Sequence, residues 1–333
     1  MTPLLENGLV VRILSQTLTG PLVRFIARRC PVQALIAAPE TVEGFRHADV
    51  PEPVPQPGQV LVDVGQVSLN YGEVRHMGAF PAGVVLGYDA AGYVTRAAED
   101  GTGPAVGERV AAFGPGAWAE RAVFGTDSVA VVPEGLDLGE AAALPLVGIT
   151  SLRTLRAAGP VLGRRVLITG ASGGVGRLAV QLARLGGAHV IASVGAVQRG
   201  AGLTELGADE VVVGLDDIDG PVDVILENVG GAHLVRAWSL LKPGGVLQSI
   251  GWASGEPAVF PPNSIFAHGA AKTLQSFGDA ASPGADLATL VDLAARGVIS
   301  VEVGWRDSWK RVGDAIQALL GRQVAGKAVM DID

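Results

Sequence analysis

The residues with the clearest chemical purpose are Gly170, Gly173 and Gly176. They stand in the run Val166-Leu167-Ile168-Thr169-Gly170-Ala171-Ser172-Gly173-Gly174-Val175-Gly176. An apolar segment ends there and an amphipathic segment begins, so the glycines fall at a strand-to-helix junction. One glycine permits a tight turn, one lets backbone N–H groups approach a pyrophosphate, and one allows close helix–strand packing. A bare glycine cluster would also suit a merely tight turn. With a second strand following at His189, the context is that of dinucleotide binding. Gly170, Ser172, Gly173, Gly174, Val175 and Gly176 are the expected pyrophosphate contacts.

The end of that second strand selects the cofactor. An Asp or Glu about 20 residues beyond the glycines would bond the ribose 2′-OH of NADH. The stretch Ala192-Ser193-Val194-Gly195-Ala196-Val197-Gln198-Arg199 holds no carboxylate. Ser193 and Arg199 can instead hold a 2′-phosphate, the arginine by charge-assisted pairing, so NADPH is expected. In the plainer reading Arg199 merely starts a solvated helix.

These groups need a scaffold, and the pattern around them supplies one. Residues 165–169, 189–194, 210–213, 222–226 and 246–250 read as apolar strands, with a sixth at 273–277. Helices are expected over 174–185, 198–206 and 232–241. Continuous apolar strands alternating with helices indicate an α/β fold with a doubly wound parallel sheet of the Rossmann type. Ahead of them, 33–37, 60–67, 84–94, 109–113 and 119–124 read as short strands separated by Gly- and Pro-rich turns, an irregular β-barrel. Val60, Val62 and Val64 share one face of theirs, opposite Asp63. A helix over 138–155, interrupted at Pro145, joins the two regions. Helices at 285–295 and 308–320 and a strand at 327–332 are assigned to the β region. The division expected is an N-terminal extension 1–31, a substrate domain 32–137 with 282–333, and a cofactor domain 138–281.

Composition narrows the class. Of 333 residues, 48% are hydrophobic and 17% charged, as in an ordered globular chain. A net charge of −8 with 5% aromatic residues argues against a nucleic-acid partner. No uninterrupted apolar run reaches the roughly 18 residues of a membrane span. Cys30 is the single cysteine, which excludes an intrachain disulfide and any multi-cysteine metal site and points to the cytoplasm. Leu14, Leu18, Leu22, Val23 and Ile26 have helical spacing, whereas Glu6 and the lack of serine enrichment argue against a transit peptide. Val32 stands where a shorter chain could begin.

Taken together, the motifs resemble the medium-chain dehydrogenase/reductase superfamily, in its quinone oxidoreductase and enoyl reductase branch. The likeness covers nearly the whole chain from Val32. It rests on Ser68-Leu69-Asn70-Tyr71, Gly87-Tyr88-Asp89-Ala90-Ala91-Gly92, Val106-Gly107-Glu108-Arg109-Val110, the glycine loop and Gly326-Lys327-Ala328-Val329. The resemblance implies a GroES-like β-barrel substrate domain beside the Rossmann domain, a cleft between them, a small-molecule substrate and a homodimer. Zinc-dependent relatives carry a Cys near the position of Asn70 and Gly-His-Glu where this chain has Gly87-Tyr88-Asp89. The five histidines are scattered, so no metal is expected.

By the same resemblance, Asn70 and Tyr71 line the nicotinamide from the substrate side and Thr150 stands near its carboxamide. Asn228 and Val229 meet the ribose, and Gly251 and Phe277 end later strands at the same sheet edge. The implied reaction is hydride transfer from NADPH to a quinone or to the β-carbon of an α,β-unsaturated carbonyl. Asn70 would donate to the carbonyl oxygen, and Tyr71 would donate likewise or supply a proton, unless water does. The bland alternatives are Asn70 as a turn former and Tyr71 as a packed ring. Two other functions fit the same residues: a non-catalytic NADPH-binding module, and an enoyl-thioester reductase.

Overall fold

Strands form where apolar runs are punctuated by glycine and proline, and two such regions build two large sheets. The structure, a computed structural model, describes residues 31–266 and 268–333. Cys30 and the leucine spacing before it lie outside the described residues. The first strands, β1 (Val32–Ala38) and β2 (Gly44–Val50), form an antiparallel hairpin. The next, β3 (Gln59–Leu69), is the spine of a seven-stranded sheet. It pairs with β4 (Asp89–Arg96) and β6 (Arg121–Gly125), and β5 (Arg109–Phe113) and β7 (Val129–Val131) continue the sheet beyond β4. Along β3, Val60, Val62 and Val64 are buried and Asp63 is exposed, as the alternation predicts. A register shift between Val64 and Gln66 then resets the phase, so that Val67 and Leu69 also point inward.

The second sheet is parallel and has six strands: β8 (Arg165–Thr169), β9 (His189–Val194), β10 (Glu210–Val213), β11 (Val222–Glu227), β12 (Leu241–Ser249) and β13 (Thr273–Ser276). Their spatial order is β10-β9-β8-β11-β12-β13. The order reverses between β8 and β11, which opens a crevice at the C-terminal strand ends, where ligands of such sheets bind. A short helix α1 (Tyr71–Arg75) follows β3, and after β7 the chain reaches β8 through α2 (Leu138–Ala143) and α3 (Pro145–Ala157). Beyond β8 come α4 (Gly174–Leu185), α5 (Gly231–Leu240), α6 (Gly284–Ala295) and α7 (Val312–Leu320). Two last strands, β14 (Val303–Ser308) and β15 (Lys327–Asp331), return to the first sheet, β15 pairing antiparallel with β3. The chain end thereby reaches the glycine loop, where Gly326 N–H donates to the Ser172 carbonyl at 3.1 Å.

Several local expectations need correction. The helix expected at 198–206 is a single 3-10 turn, Val197–Gly200, followed by turns. Gly202 at φ +77 and Gly207 at φ +109 adopt backbone angles that end any helix. The strand expected over 84–94 begins only at Asp89. Gly87, at φ +89, turns the chain against Trp118, whose ring atom Cδ1 would lie 2.0 Å from any Cβ there. The strands β2, β7 and β14 and the helix α1 went unforeseen.

Candidate active site

The glycine loop leaves the fully buried end of β8 with Gly170 at φ +59. A Cβ at Gly176 would lie 2.5 Å from Ala171 Cα and 2.6 Å from the Gly170 carbonyl, so the turn closes on itself there. At Gly174 a Cβ would meet Lys327 Cδ and Val147 Cγ1, both at 2.9 Å. Gly173 differs: its added Cβ would touch only the Gly170 carbonyl, at 3.5 Å. Its φ of −82 is open to any residue. Neither packing nor backbone angle requires a glycine at 173; a ligand lying against the N-terminus of α4 would. Ser172 is buried, and the Val175 carbonyl accepts from Ser151 Oγ at 2.9 Å.

At the end of β9 three guanidinium groups gather. Arg199 Nε donates to Ser172 Oγ at 2.9 Å, and its Nη1 donates to the Arg322 carbonyl. Arg322 is held at φ +60; its Nη2 donates to the Ala253 carbonyl at 2.7 Å and its guanidinium stacks 4.0 Å from the Tyr71 ring centre. Arg177, on the first turn of α4, is 5% exposed; it pairs with Glu302 at 3.1 Å and donates to the Ala201 carbonyl at 2.7 Å. Its Nε is buried without a partner among the described residues. Burial, then the charges of Arg322 and Arg177, lower the Arg199 pKa. This corner has donors and positive charge to offer a phosphate. Ser193 is placed differently from the sequence expectation: its hydroxyl is buried and donates to the Gly214 carbonyl at 2.7 Å. Arg177 and Arg322 were not anticipated.

Across the crevice, Asn70 closes β3. Its Nδ2 donates to Asp89 Oδ2 at 2.8 Å, its Oδ1 accepts from Lys327 Nζ at 2.6 Å, and its backbone N–H donates to Glu73 Oε2 at 2.9 Å. Asp89, fully buried, also accepts from Ser68 Oγ at 3.0 Å and, through Oδ1, from the Leu146 N–H at 2.9 Å. Glu73 as a residue is half-buried, but its Oε1 is sealed from solvent and has no partner among the described residues. Burial, then the neighbouring Asp89 charge, pushes the Glu73 carboxyl up to about 8 against the pull of Lys327 and Asn70. Tyr71 is half-buried, with its hydroxyl 3.4 Å from the Ala253 carbonyl. Thr150 lies within α3, 5% exposed, its carbonyl accepting from Thr154 Oγ1 at 2.7 Å.

Beside the glycine loop, Asn228 donates from its backbone N–H to Thr169 Oγ1 and from Nδ2 to the Thr169 carbonyl, both at 2.9 Å. The turn is pinned by Glu227, a fully buried carboxylate accepting from Thr169 Oγ1, Val229 N–H and Gly230 N–H at 3.0, 3.0 and 2.9 Å. No sequence pattern had singled it out. Gly251 faces this turn, since a Cβ there would lie 3.0 Å from the Asn228 carbonyl. Gly170, Gly173, Asn228, Val229 and Gly251 thus share one sheet edge. Phe277 follows β13, three strands from the loop, and its N–H donates to the Ser249 carbonyl at 3.0 Å. Among the described residues no three His, Cys, Asp or Glu side chains group to hold a metal, and no helix is long and apolar enough to cross a membrane.

The chain is similar to known proteins. The alcohol dehydrogenase GroES-like domain family matches residues 56–134, and the zinc-binding dehydrogenase family matches 174–296. The chloroplastic quinone-oxidoreductase QR1 of Triphysaria versicolor is 33% identical over 228 residues, which is 60% of this chain and 67% of that one. A phenolphthiocerol/phthiocerol polyketide synthase of Mycobacterium tuberculosis is 33% identical over 244 residues, 68% of this chain. The chain spans only 11% of that synthase. The mycobacterial Rv1454c structure complexed with NADPH superposes with a TM-score of 0.79 at 25% identity, covering 90% of this chain and 99% of that one. Fold and matches together define an oxidoreductase with a GroES-like domain and a parallel dinucleotide-type sheet. The chain belongs to the medium-chain dehydrogenase/reductase superfamily, in its quinone oxidoreductase and enoyl reductase branch.

Proposed function

We propose that this protein is an NADPH-dependent reductase that delivers hydride, without a metal, to a quinone or to the β-carbon of an α,β-unsaturated carbonyl. The observation carrying this reading is Gly173, a glycine needed by no neighbour among the described residues, beside the Arg199–Arg322–Arg177 corner. The first suits a pyrophosphate and the second a 2′-phosphate. The NADPH complex of mycobacterial Rv1454c supports the same cofactor here. When bound, NADPH supplies the hydride from its nicotinamide C4.

The chain's own part is placement and charge stabilisation. Gly170, Ser172, Gly173, Gly174, Val175 and Gly176 hold the pyrophosphate, with Asn228, Val229 and Gly251 along the ribose. Thr150 and Phe277 flank the nicotinamide end. Asn70 has a second Nδ2 hydrogen free to donate to the acceptor's oxygen. Tyr71 can exchange its long contact with Ala253 for the same oxygen, or pass a proton to the α-carbon. Residues 138–281 form the cofactor domain, with 32–137 and 282–333 as the substrate domain of a cytoplasmic homodimer.

The polyketide synthase match favours one further reading, an enoyl-thioester reductase. Oxidation of NADPH and NADH, followed by loss of nicotinamide absorbance against quinones, small enones and enoyl thioesters, tests and ranks these. Turnover with NADPH is expected. Tight NADPH binding with no turnover across the panel would identify a non-catalytic module instead.

A further inference from the structure

We propose that Lys327 and Asp89 are a positioning pair: buried beneath the crevice, they fix the amide of Asn70 against the nicotinamide without touching substrate or cofactor. The inference rests on the reductase reading above.

Lys327 is 4% exposed and spends its three N–H donors on the Leu69 carbonyl at 3.0 Å, Asn70 Oδ1 at 2.6 Å and Asp89 Oδ2 at 3.2 Å. An ammonium can only donate and a carboxylate can only accept. Asn70 must therefore turn its oxygen to Lys327 and its nitrogen to Asp89; the flipped amide would set N–H₂ against the ammonium and oxygen against the carboxylate. The charges thus choose the rotamer and leave one Nδ2 hydrogen uncommitted.

The same pair ties down the cofactor side. Asp89 Oδ1 accepts from Leu146, the second residue of α3, which carries Thr150 about one turn further on. The Lys327 stem fills the space a Cβ would need at Gly174, and its neighbour Gly326 donates to Ser172 of the glycine loop. One buried ion pair therefore sets the β3 end, α3 and the glycine loop relative to one another. Stability alone does not call for it, because apolar replacements of buried ion pairs are often neutral or stabilising. An apolar pair could not orient an amide.

The test compares wild type with Lys327→Met and with the charge-neutral double variant Asp89→Asn/Lys327→Met. The single variant leaves a buried carboxylate unpaired and is expected to lose stability. The double variant should recover a denaturation midpoint near wild type and bind NADPH within about threefold, yet lose kcat about tenfold or more with little change in acceptor KM. Fluorescence anisotropy of the bound nicotinamide should fall, since the ring is held less firmly. A double variant that folds and turns over like wild type overturns the proposal. Absence of wild-type turnover across the whole panel would count against the reductase reading instead. Anisotropy then decides the inference: a looser ring in the folded double variant supports it, and an unchanged ring overturns it. Should the double variant not fold, Asp89→Asn alone, of nearly equal volume, is read by kcat and anisotropy, with a lowered denaturation midpoint expected from the unpaired Lys327 ammonium.

Discussion

Glu73 offers the sharpest physical test of the crevice. Its carboxyl is raised from 4.5 to about 8, first by burial and second by the charge of Asp89. The charge of Lys327 pulls the other way but does not cancel these two effects, and its three donors are engaged by Leu69, Asn70 and Asp89. Between those two values the folded protein retains a proton that the unfolded chain gives up. The stability contributed by the protonated form is full below 4.5 and is lost as pH rises through about 8. Glu73→Gln removes the titration while keeping an oxygen to accept from the Asn70 N–H, as glutamine does in capping boxes. The variant should therefore gain on wild type across this window by up to about 1.4 kcal/mol per pH unit. Over the window that amounts to a few kcal/mol. Urea midpoints of both proteins at about pH 5, 7 and 9 measure it. Curves that stay parallel across the range would refute the reasoning, because they would mean that Glu73 is ionised in the fold.

Four further outcomes are expected. Gly173→Ala should weaken NADPH binding about tenfold or more at an unchanged melting temperature, since its Cβ meets only a carbonyl at 3.5 Å. Gly176→Ala should lower both, because its Cβ would lie 2.5 Å from Ala171 Cα; isothermal titration and thermal melts separate the two. Arg199→Ala should reduce NADPH affinity about tenfold or more and leave NADH nearly unaffected; equal losses for both cofactors would remove Arg199 from the 2′-phosphate. Overnight treatment with EDTA should leave turnover unchanged, and a loss restored by zinc would show that a metal had been missed.

The strand–glycine–helix passage from Arg165 to Leu185 and the strands β8, β9 and β10 were legible in the amino-acid sequence residue for residue. Their signal is local: apolar runs that must be buried, closed by glycines whose backbone angles end them. The missing carboxylate at 192–199 pointed to NADPH, and Asn70 and Tyr71 were singled out only through the family resemblance, beyond a strand read as ending at Val67. What those residues contact depends on the folding of distant segments. Ser193 was spent on Gly214 because β10 lies beside β9, a pairing that no composition at 192–199 reveals. Arg199 and Arg322 meet across 123 residues of chain, and Asp89 and Lys327 across 238. Charged residues so far apart look individually like solvated surface in the sequence. Only the return of β15 to β3 carries Lys327 under the glycine loop, where burial makes its charge choose the orientation of Asn70.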